Sequence, residues 1–326
     1  MIITLTANPS LDRTIELAAP LARGAVQRAT ANRQESGGKG VNVCRALSAG
    51  GAEALAILPG REDDPVLTGL RSAQVPYRNL SIAAALRSNV TLTEPDGTTT
   101  KINEPGPALN QREADALIDL VVELSTGAQW LVLAGSLPPG LASDYYAAVV
   151  RAVRDRHGDR APLIALDASE AALIAAIDGN AAPDLLKPNA EELSQLTGLG
   201  VGDSLEDQED LAVEAATRLL ARGVRTVLAT LGSKGALLVT ADGAWHAQHP
   251  PITAISTVGA GDSALAGYLL AHTRGASAPD CLRQAVAHGS AAASLPGSTV
   301  PAMHQTTPDA VTVQAIVTAH TSPNHP

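Results

Sequence analysis

From Ala54 onward the chain repeats one rhythm, a short apolar run followed by a longer stretch whose apolar residues recur at helical spacing. Residues 54–58, 130–134, 163–167, 185–187, 226–230 and 236–240 are the strand candidates. Residues 110–125, 143–156, 170–177, 190–197 and 207–222 are the helix candidates between them. Alternation of this kind predicts a parallel sheet with covering helices, because a parallel strand needs a long crossover and a helix supplies it. Sites in such folds are built at the C-terminal ends of the strands. Several strand candidates here end in polar or glycine punctuation: Gly135-Ser136-Leu137-Pro138-Pro139-Gly140, Asp167, Lys187-Pro188-Asn189-Ala190-Glu191-Glu192 and Thr230-Leu231-Gly232-Ser233-Lys234-Gly235.

The N-terminal third breaks the rhythm. Residues 2–6 read as a strand, ended by Asn8-Pro9-Ser10-Leu11-Asp12. A dinucleotide-binding domain puts a glycine-rich turn at that point, and this turn has no glycine, which argues against a nicotinamide-dependent oxidoreductase. Asp12 is expected at the C-terminal end of this first strand, although a plain turn aspartate gives the same pattern. Residues 13–17 and 25–30 alternate with period two, as do 88–93, and Glu94-Pro95-Asp96-Gly97 then turns the chain into 98–102. These patches predict a small sheet standing off the main one.

Two glycine-bearing stretches stand before helical patterns. Ser36-Gly37-Gly38-Lys39-Gly40-Val41-Asn42 is not a Walker A loop, since the spacing and the Lys-Ser/Thr ending are absent. Ser256-Thr257-Val258-Gly259-Ala260-Gly261-Asp262-Ser263 precedes a run of small apolar residues. Glycines ahead of a helix let consecutive N–H groups face one concavity, where the helix dipole favours an anion. A carboxylate beside such a hole is repelled by the anion unless it has a task, and accepting the proton of a hydroxyl that attacks a phosphoryl group is such a task. An ordinary acidic first-turn residue accounts for Asp262 equally well at this level.

The 326 residues carry a formal net charge of −10, which argues against nucleic-acid backbone as a partner. There is no phenylalanine, so the core is built of small aliphatic residues. Cys44 and Cys281 lie in apolar helical patterns and read as buried thiols. With no signal-peptide pattern and no run of membrane-spanning length, a soluble cytoplasmic protein with no membrane partner is expected. Residues 321–326 are expected to be disordered.

The stretches Gly37–Asn42, Lys187–Glu192 and Thr257–Asp262, in this order and spacing, resemble the ribokinase-like, or phosphofructokinase B, sugar kinase family over residues 1 to about 301. Thr6-Ala7-Asn8-Pro9-Ser10-Leu11-Asp12 and Ile102-Asn103-Glu104-Pro105-Gly106-Pro107 look like its 1-phosphofructokinase and tagatose-6-phosphate kinase branch. The resemblance implies a single α/β domain over 1–326, with a three-layer α/β/α body, a mostly parallel central sheet and a small β-sheet lid from about 13–36 and 88–102. It implies Asp262 as catalytic base and the amides of Gly259, Ala260 and Gly261 as anion hole. Asp12, Gly38, Lys39, Asn42 and Ser136 would hold the sugar, and Arg87 its phosphate. Lys187, Asn189, Thr230, Gly232, Ser233 and Gly235 would line the ATP side, and Glu192, with Asn189 less directly, would position Mg2+. The implied reaction is phosphorylation of fructose 1-phosphate at its 6-hydroxyl, with tagatose 6-phosphate as the alternative acceptor and a catalytically silent sugar-phosphate sensor as the rival from another class. A lid-to-lid homodimer is implied as well. Where the branch often has Arg-Ile-Asn-Val, this chain has Arg87-Ser88-Asn89-Val90, a polar-for-apolar exchange expected to loosen the lid. His288 is expected to be structural or to stand near adenine.

Overall fold

A computed structural model describes residues 1–168, 170–178, 181–200 and 204–316. The disorder expected for residues 321–326 lies outside the described residues. In chain order the strands are β1 (Ile2–Leu5), β2 (Ser10–Leu17), β3 (Ala29–Gly37), β4 (Ala54–Pro59), β5 (Tyr77–Leu80), β6 (Arg87–Thr93), β7 (Thr99–Asn103), β8 (Trp130–Ala134), β9 (Leu163–Asp167), β10 (Leu185–Leu186), β11 (Thr226–Thr230), β12 (Ala236–Thr240), β13 (Gly243–Gln248) and β14 (Thr312–Ile316). The helices are α1 (Lys39–Ala49), α2 (Pro65–Ser72), α3 (Gln111–Leu124), α4 (Tyr145–His157), α5 (Glu170–Asp178), α6 (Ala190–Thr197), α7 (Ser204–Asp207), α8 (Glu209–Ala221), α9 (Ala260–Thr273) and α10 (Ala278–Ala293).

The large sheet runs β14-β13-β12-β11-β10-β9-β8-β1-β4-β5. It is parallel from β5 through β11 and antiparallel through the last three strands. Residues 236–240 therefore enter as the return strand of a hairpin and not as another crossover. The short connection after β11 decides this, because the five residues 231–235 cannot carry a crossover.

Strand residues alternate between two cores. Ile3, Leu5, Leu131, Leu133, Ile164, Leu166 and Val227 face one core, with apolar residues of α3, α4, α5, α6 and α8. Ile2, Trp130, Val132, Ala165 and Leu228 face the other, with α1, α2, α9 and α10. This is the period-two geometry of a sheet covered on both sides, and it makes the body a three-layer α/β/α structure. Small residues let α9 and α10 pack closely. A Cβ on Gly267 would stand 2.5 Å from the Gln284 carbonyl and 2.9 Å from the His288 ring. His288 is buried in that contact, its Nδ1 3.0 Å from the Gln284 carbonyl, so it belongs to helix packing. Cys44 and Cys281 are free and buried, as expected.

A second sheet has the order β3-β2-β6-β7. The first excursion into it leaves after β1 and returns as α1, and the second leaves after β5. Its strands differ from the expectation at their edges. Asp12 lies inside β2, paired with Glu35 and Asn89, and does not end β1. Residues 25–28 are outside the strand, and Ala29–Gly37 pairs in their place. The alternation around residue 26 misleads because Val26 is 95% exposed and packs on nothing. The Glu94–Gly97 turn closes as expected, with the Gly97 N–H donating to the Glu94 carbonyl at 3.0 Å. Ser88 does not leave a gap: its N–H donates to Glu104 Oε2 at 2.8 Å and its hydroxyl to the Leu11 carbonyl at 3.2 Å.

Candidate active site

The parallel strands β1, β8, β9, β10 and β11 all end on one edge, and the residues that follow them converge there with the starts of α1 and α9. Gly259 caps α9 with φ of +76°, a conformation that costs any residue with a Cβ. No side chain caps this helix. The Ala260 N–H turns back to the Thr257 carbonyl at 3.3 Å, and the Ser263 N–H bonds Gly259. Of the amides at the helix start, those of Gly259, Gly261 and Asp262 remain without an acceptor among the described residues, so of the expected Gly259, Ala260 and Gly261 only Ala260 has its N–H committed, and Asp262 adds a donor. Lys187 adds a cation: its Nζ is 3.3 Å from where a Cβ on Gly261 would stand.

Asp262 is buried, and its Oδ2 accepts from Asn42 Nδ2 of α1 at 2.9 Å. Burial first, then the charge of Asp167, push its carboxyl up to about 6, against the pull of Lys39, Asn42 and Lys187. A carboxylate at this value is ionised at neutral pH and still a competent proton acceptor. Asn42, expected to hold the sugar, spends its amide nitrogen on Asp262, while its Oδ1 is buried without a partner.

Asp167, which sequence reasoning marked as strand punctuation and gave no role, is the centre of the cluster. Lys39 Nζ donates to its Oδ1 at 2.8 Å, and Lys187 Nζ lies 3.1 Å from its Oδ2. Lys39 also stands 3.7 Å from Glu192 Oε1. Burial works against the charge of Lys39, but Asp167, Glu192 and Asp262 outweigh it and hold its pKa above the ordinary value. Burial likewise opposes ionisation of Asp167, and the two lysines overcome it and hold its carboxyl low. The only signal in the sequence was a lone acid closing a buried apolar strand. Asp167→Ala is expected to destabilise the protein by about 3–5 kcal/mol, the usual cost of stranding buried charge. Urea unfolding measures it, and a loss under about 1 kcal/mol would mean the lysines find other partners.

Glu192 and Asn189 form a capping box on α6, with Glu192 Oε2 accepting the Asn189 N–H at 2.9 Å and Asn189 Oδ1 the Glu192 N–H at 2.7 Å. The Asn189 amide is therefore committed to holding Glu192 in place. Its backbone bridges Thr230, whose N–H donates to the Pro188 carbonyl at 3.0 Å. Beyond Thr230, Gly232 and Ser233 are exposed at the rim, and Gly235 closes the turn by accepting the Leu231 N–H.

The second group begins at Gly38. Its φ is +107°, and a Cβ there would stand 2.6 Å from Thr6 Cγ2, so the backbone of α1 starts hard against the end of β1. Arg87 opens β6. It donates to the carbonyls of Glu104 at 3.1 Å and Asn8 at 3.0 Å and approaches Ser136 Oγ at 3.5 Å, leaving its Nε buried without a partner. Asn8, Asn89 and Glu104 join this group although no motif singled them out for a role: Asn8 Nδ2 donates to the Pro105 carbonyl at 3.0 Å, and Asn89 Nδ2 to Asp12 Oδ1 at 3.1 Å. Burial raises the Asp12 carboxyl pKa, opposed by Ser10, Asn89 and Arg87. The two groups adjoin, since a Cβ on Gly135, which precedes Ser136, would stand 3.8 Å from the Lys39 Cβ.

Taken together, a basic, amide-lined hole and a buried proton acceptor meet a second cationic pocket, the arrangement needed to pass a phosphoryl group to a hydroxyl on an anionic acceptor. Comparison with known proteins agrees. Residues 5–305 match the family model for pfkB family carbohydrate kinases. A 1-phosphofructokinase of Haloferax volcanii is 35% identical over 303 residues, 92% of this chain and 93% of the relative. An ATP-dependent 6-phosphofructokinase isozyme 2 of Mycobacterium tuberculosis is 35% identical over 305 residues, 91% and 85% of the two chains. The crystal structure of Escherichia coli phosphofructokinase-2 in complex with fructose-6-phosphate superposes with a TM-score of 0.80 at 31% identity, covering 90% of this chain and 93% of that one.

Proposed function

The chain belongs to the pfkB family of carbohydrate kinases and has the ribokinase-like fold, and from that premise we propose that it is an ATP-dependent 1-phosphofructokinase. It takes the γ-phosphoryl of ATP to the 6-hydroxyl of fructose 1-phosphate and yields fructose 1,6-bisphosphate and ADP. The observation that carries the reading is the pair of cationic sites, Lys187 with the α9 amides for the transferred phosphoryl and Arg87 for a phosphate already on the sugar. Tagatose 6-phosphate is not favoured as acceptor, since the relatives at this identity are phosphofructokinases by name. A silent sensor has no use for a buried carboxylate tuned to about 6.

In the reaction the sugar hydroxyl oxygen bonds to the γ-phosphorus as the bond to the bridging oxygen of ADP breaks. The hydroxyl proton passes to Asp262. Asn42 holds that carboxylate in register. The amides of Gly261 and Asp262, with Lys187, neutralise charge on the transferred oxygens. Thr230, Gly232, Ser233 and Gly235 form the ATP rim. Asp12 and Ser136 orient the sugar from below Arg87. Glu192 suits a magnesium ion, which takes one or two carboxylates and completes its shell with water and substrate phosphate: its Oε2 is held by the Asn189 N–H, and its Oε1 has only Lys39, at 3.7 Å, beside it. When bound, magnesium would shield the phosphate charge.

The small sheet is the lid over this site, and the body and lid act as one domain whose place of action is the cytoplasm. The outer face of the lid carries Ile15, Val90, Leu92 and Ile102, which the strand register puts on one side and neither core covers. An unpartnered apolar sheet face calls for cover. A lid-to-lid homodimer follows, and light scattering at micromolar protein is expected to give twice the chain mass. A fully active monomer at that concentration would sink the dimer.

An ADP-release assay across fructose 1-phosphate, fructose 6-phosphate, tagatose 6-phosphate and free fructose tests the function. The highest kcat/KM is expected for fructose 1-phosphate. A higher value for fructose 6-phosphate would reassign the chain to the activity named for the mycobacterial relative, and turnover of free fructose alone would remove the role given to Arg87.

A further inference from the structure

Asp12 and Glu35 stand directly opposite each other on β2 and β3. Opposed residues share a face of the sheet, and two carboxylates there repel. The pair persists because each is held separately. Asp12 accepts from Ser10 and Asn89. Glu35 turns away: its Oε1 lies 3.4 Å from Arg45 Nη2 of α1, and its Oε2 accepts the Ser298 hydroxyl at 2.8 Å and the Ser298 N–H at 3.3 Å.

Ser298 is 6% exposed and lies in the segment after α10. That segment backs the phosphate-binding turn. A Cβ on Gly259 would stand 3.8 Å from both Cα and Cβ of Ser298. Just ahead of the turn, the N–H groups of Ile255 and Ser256 donate to the carbonyl of Ala293, the last residue of α10, at 2.8 and 3.2 Å. The small sheet is therefore tied by Glu35 to Ser298, which lies beside the cap of α9 that precedes Asp262.

We propose that Glu35 is a positioning residue for phosphoryl transfer, tying the small sheet to the segment behind the phosphate-binding turn so that the base and the amide donors are aligned only when the sheet is seated. This rests on the reading of the site as a sugar-phosphate kinase. Glu35 has no part in holding the acceptor; its loss acts through Ser298 and Gly259.

The test is a set of variants assayed with whichever acceptor the wild-type enzyme turns over best. Glu35→Ala is expected to lower kcat about tenfold, with KM for ATP and for the acceptor changed less than about threefold. Glu35→Gln keeps an acceptor for Ser298 and should retain at least half of wild-type kcat. Ser298→Ala should lower kcat about threefold. The double variant should be no slower than Glu35→Ala, because both changes break one contact. Hydrogen exchange of the amides in 255–263 gives a readout that needs no turnover, and it should be faster in Glu35→Ala than in wild type. Unchanged exchange, an unchanged kcat, a rise in acceptor KM alone, or multiplicative single effects would each overturn the proposal. Should the best acceptor not be fructose 1-phosphate, the substrate assignment fails while the comparison for Glu35 stands on its own result.

Discussion

Asp262→Asn is expected to lower kcat by about 10²–10⁴-fold, the range for losing a general base, with KM for ATP and sugar phosphate close to wild type. The amides of Gly261 and Asp262 and the Lys187 charge stay in place, so the phosphate site survives the exchange. In the wild type, activity should fall about tenfold per unit as pH drops below about 6, where Asp262 takes up its proton and can accept no other. Stability should move the opposite way. The folded-state pKa is raised, so the contribution of Asp262 is fully present below its unfolded value of 3.8 and is lost as pH rises through about 6. At neutral pH the ionised carboxylate is therefore a cost, through its burial and its nearness to Asp167. Asp262→Asn removes that cost and should stabilise the unliganded protein by at most about 3 kcal/mol. A variant that keeps more than a tenth of wild-type kcat would show that Asp262 is not the base. One that loses both activity and stability would show a structural carboxylate.

Arg87→Ala is expected to raise KM for the sugar phosphate by about 30- to 1,000-fold and KM for ATP by less than about threefold. The guanidinium is aimed by two backbone carbonyls, those of Glu104 and Asn8. Its Nε is buried and unbonded, which leaves a donor for a ligand. The forked contact of arginine with phosphate is one that lysine does not reproduce, and losing it should cost about 2–4 kcal/mol. Ser136 Oγ and Asn8 share the same network as Arg87, so the groups proposed for the sugar and for its phosphate would act as one set. Steady-state kinetics with both substrates varied decides the matter. Constants within twofold of wild type would make Arg87 a structural residue, joining the two excursions of the small sheet to the end of β1.

The body of the fold was legible because each helix and buried strand carries its own periodicity. Residues 110–125 and 190–197 fall within a residue or so of α3 and α6, which are bounded by Asn110 and Asn189 as capping residues. The missed strands β5, β13 and β14 are short or half-exposed, and partners, not pattern, make them strands. The shift of the third strand from 25–30 to Ala29–Gly37 has the same cause: a thin exposed sheet has little apolar signal, and its register comes from β2.

At the site, local chemistry in the chain was enough for the residues whose role is written into a turn. Gly259, Gly261 and Asp262 depend on backbone conformation and immediate neighbours, so a glycine-acid stretch before a small-residue helix was enough to predict an uncapped helix start with a carboxylate beside it. Which amides are free, and what Asp262 is worth as a base, were decided only by the tertiary structure. The reason is range. The groups that set the charge of Asp262 are Asp167, Lys39, Asn42 and Lys187, which are brought together from the end of one strand, the start of another helix and the residue after β10. Asp167 by itself is a strand-ending acid. It becomes the counter-charge of two lysines 128 and 20 positions away only because parallel strands end on one edge of a sheet, where low dielectric makes each charge felt by the others.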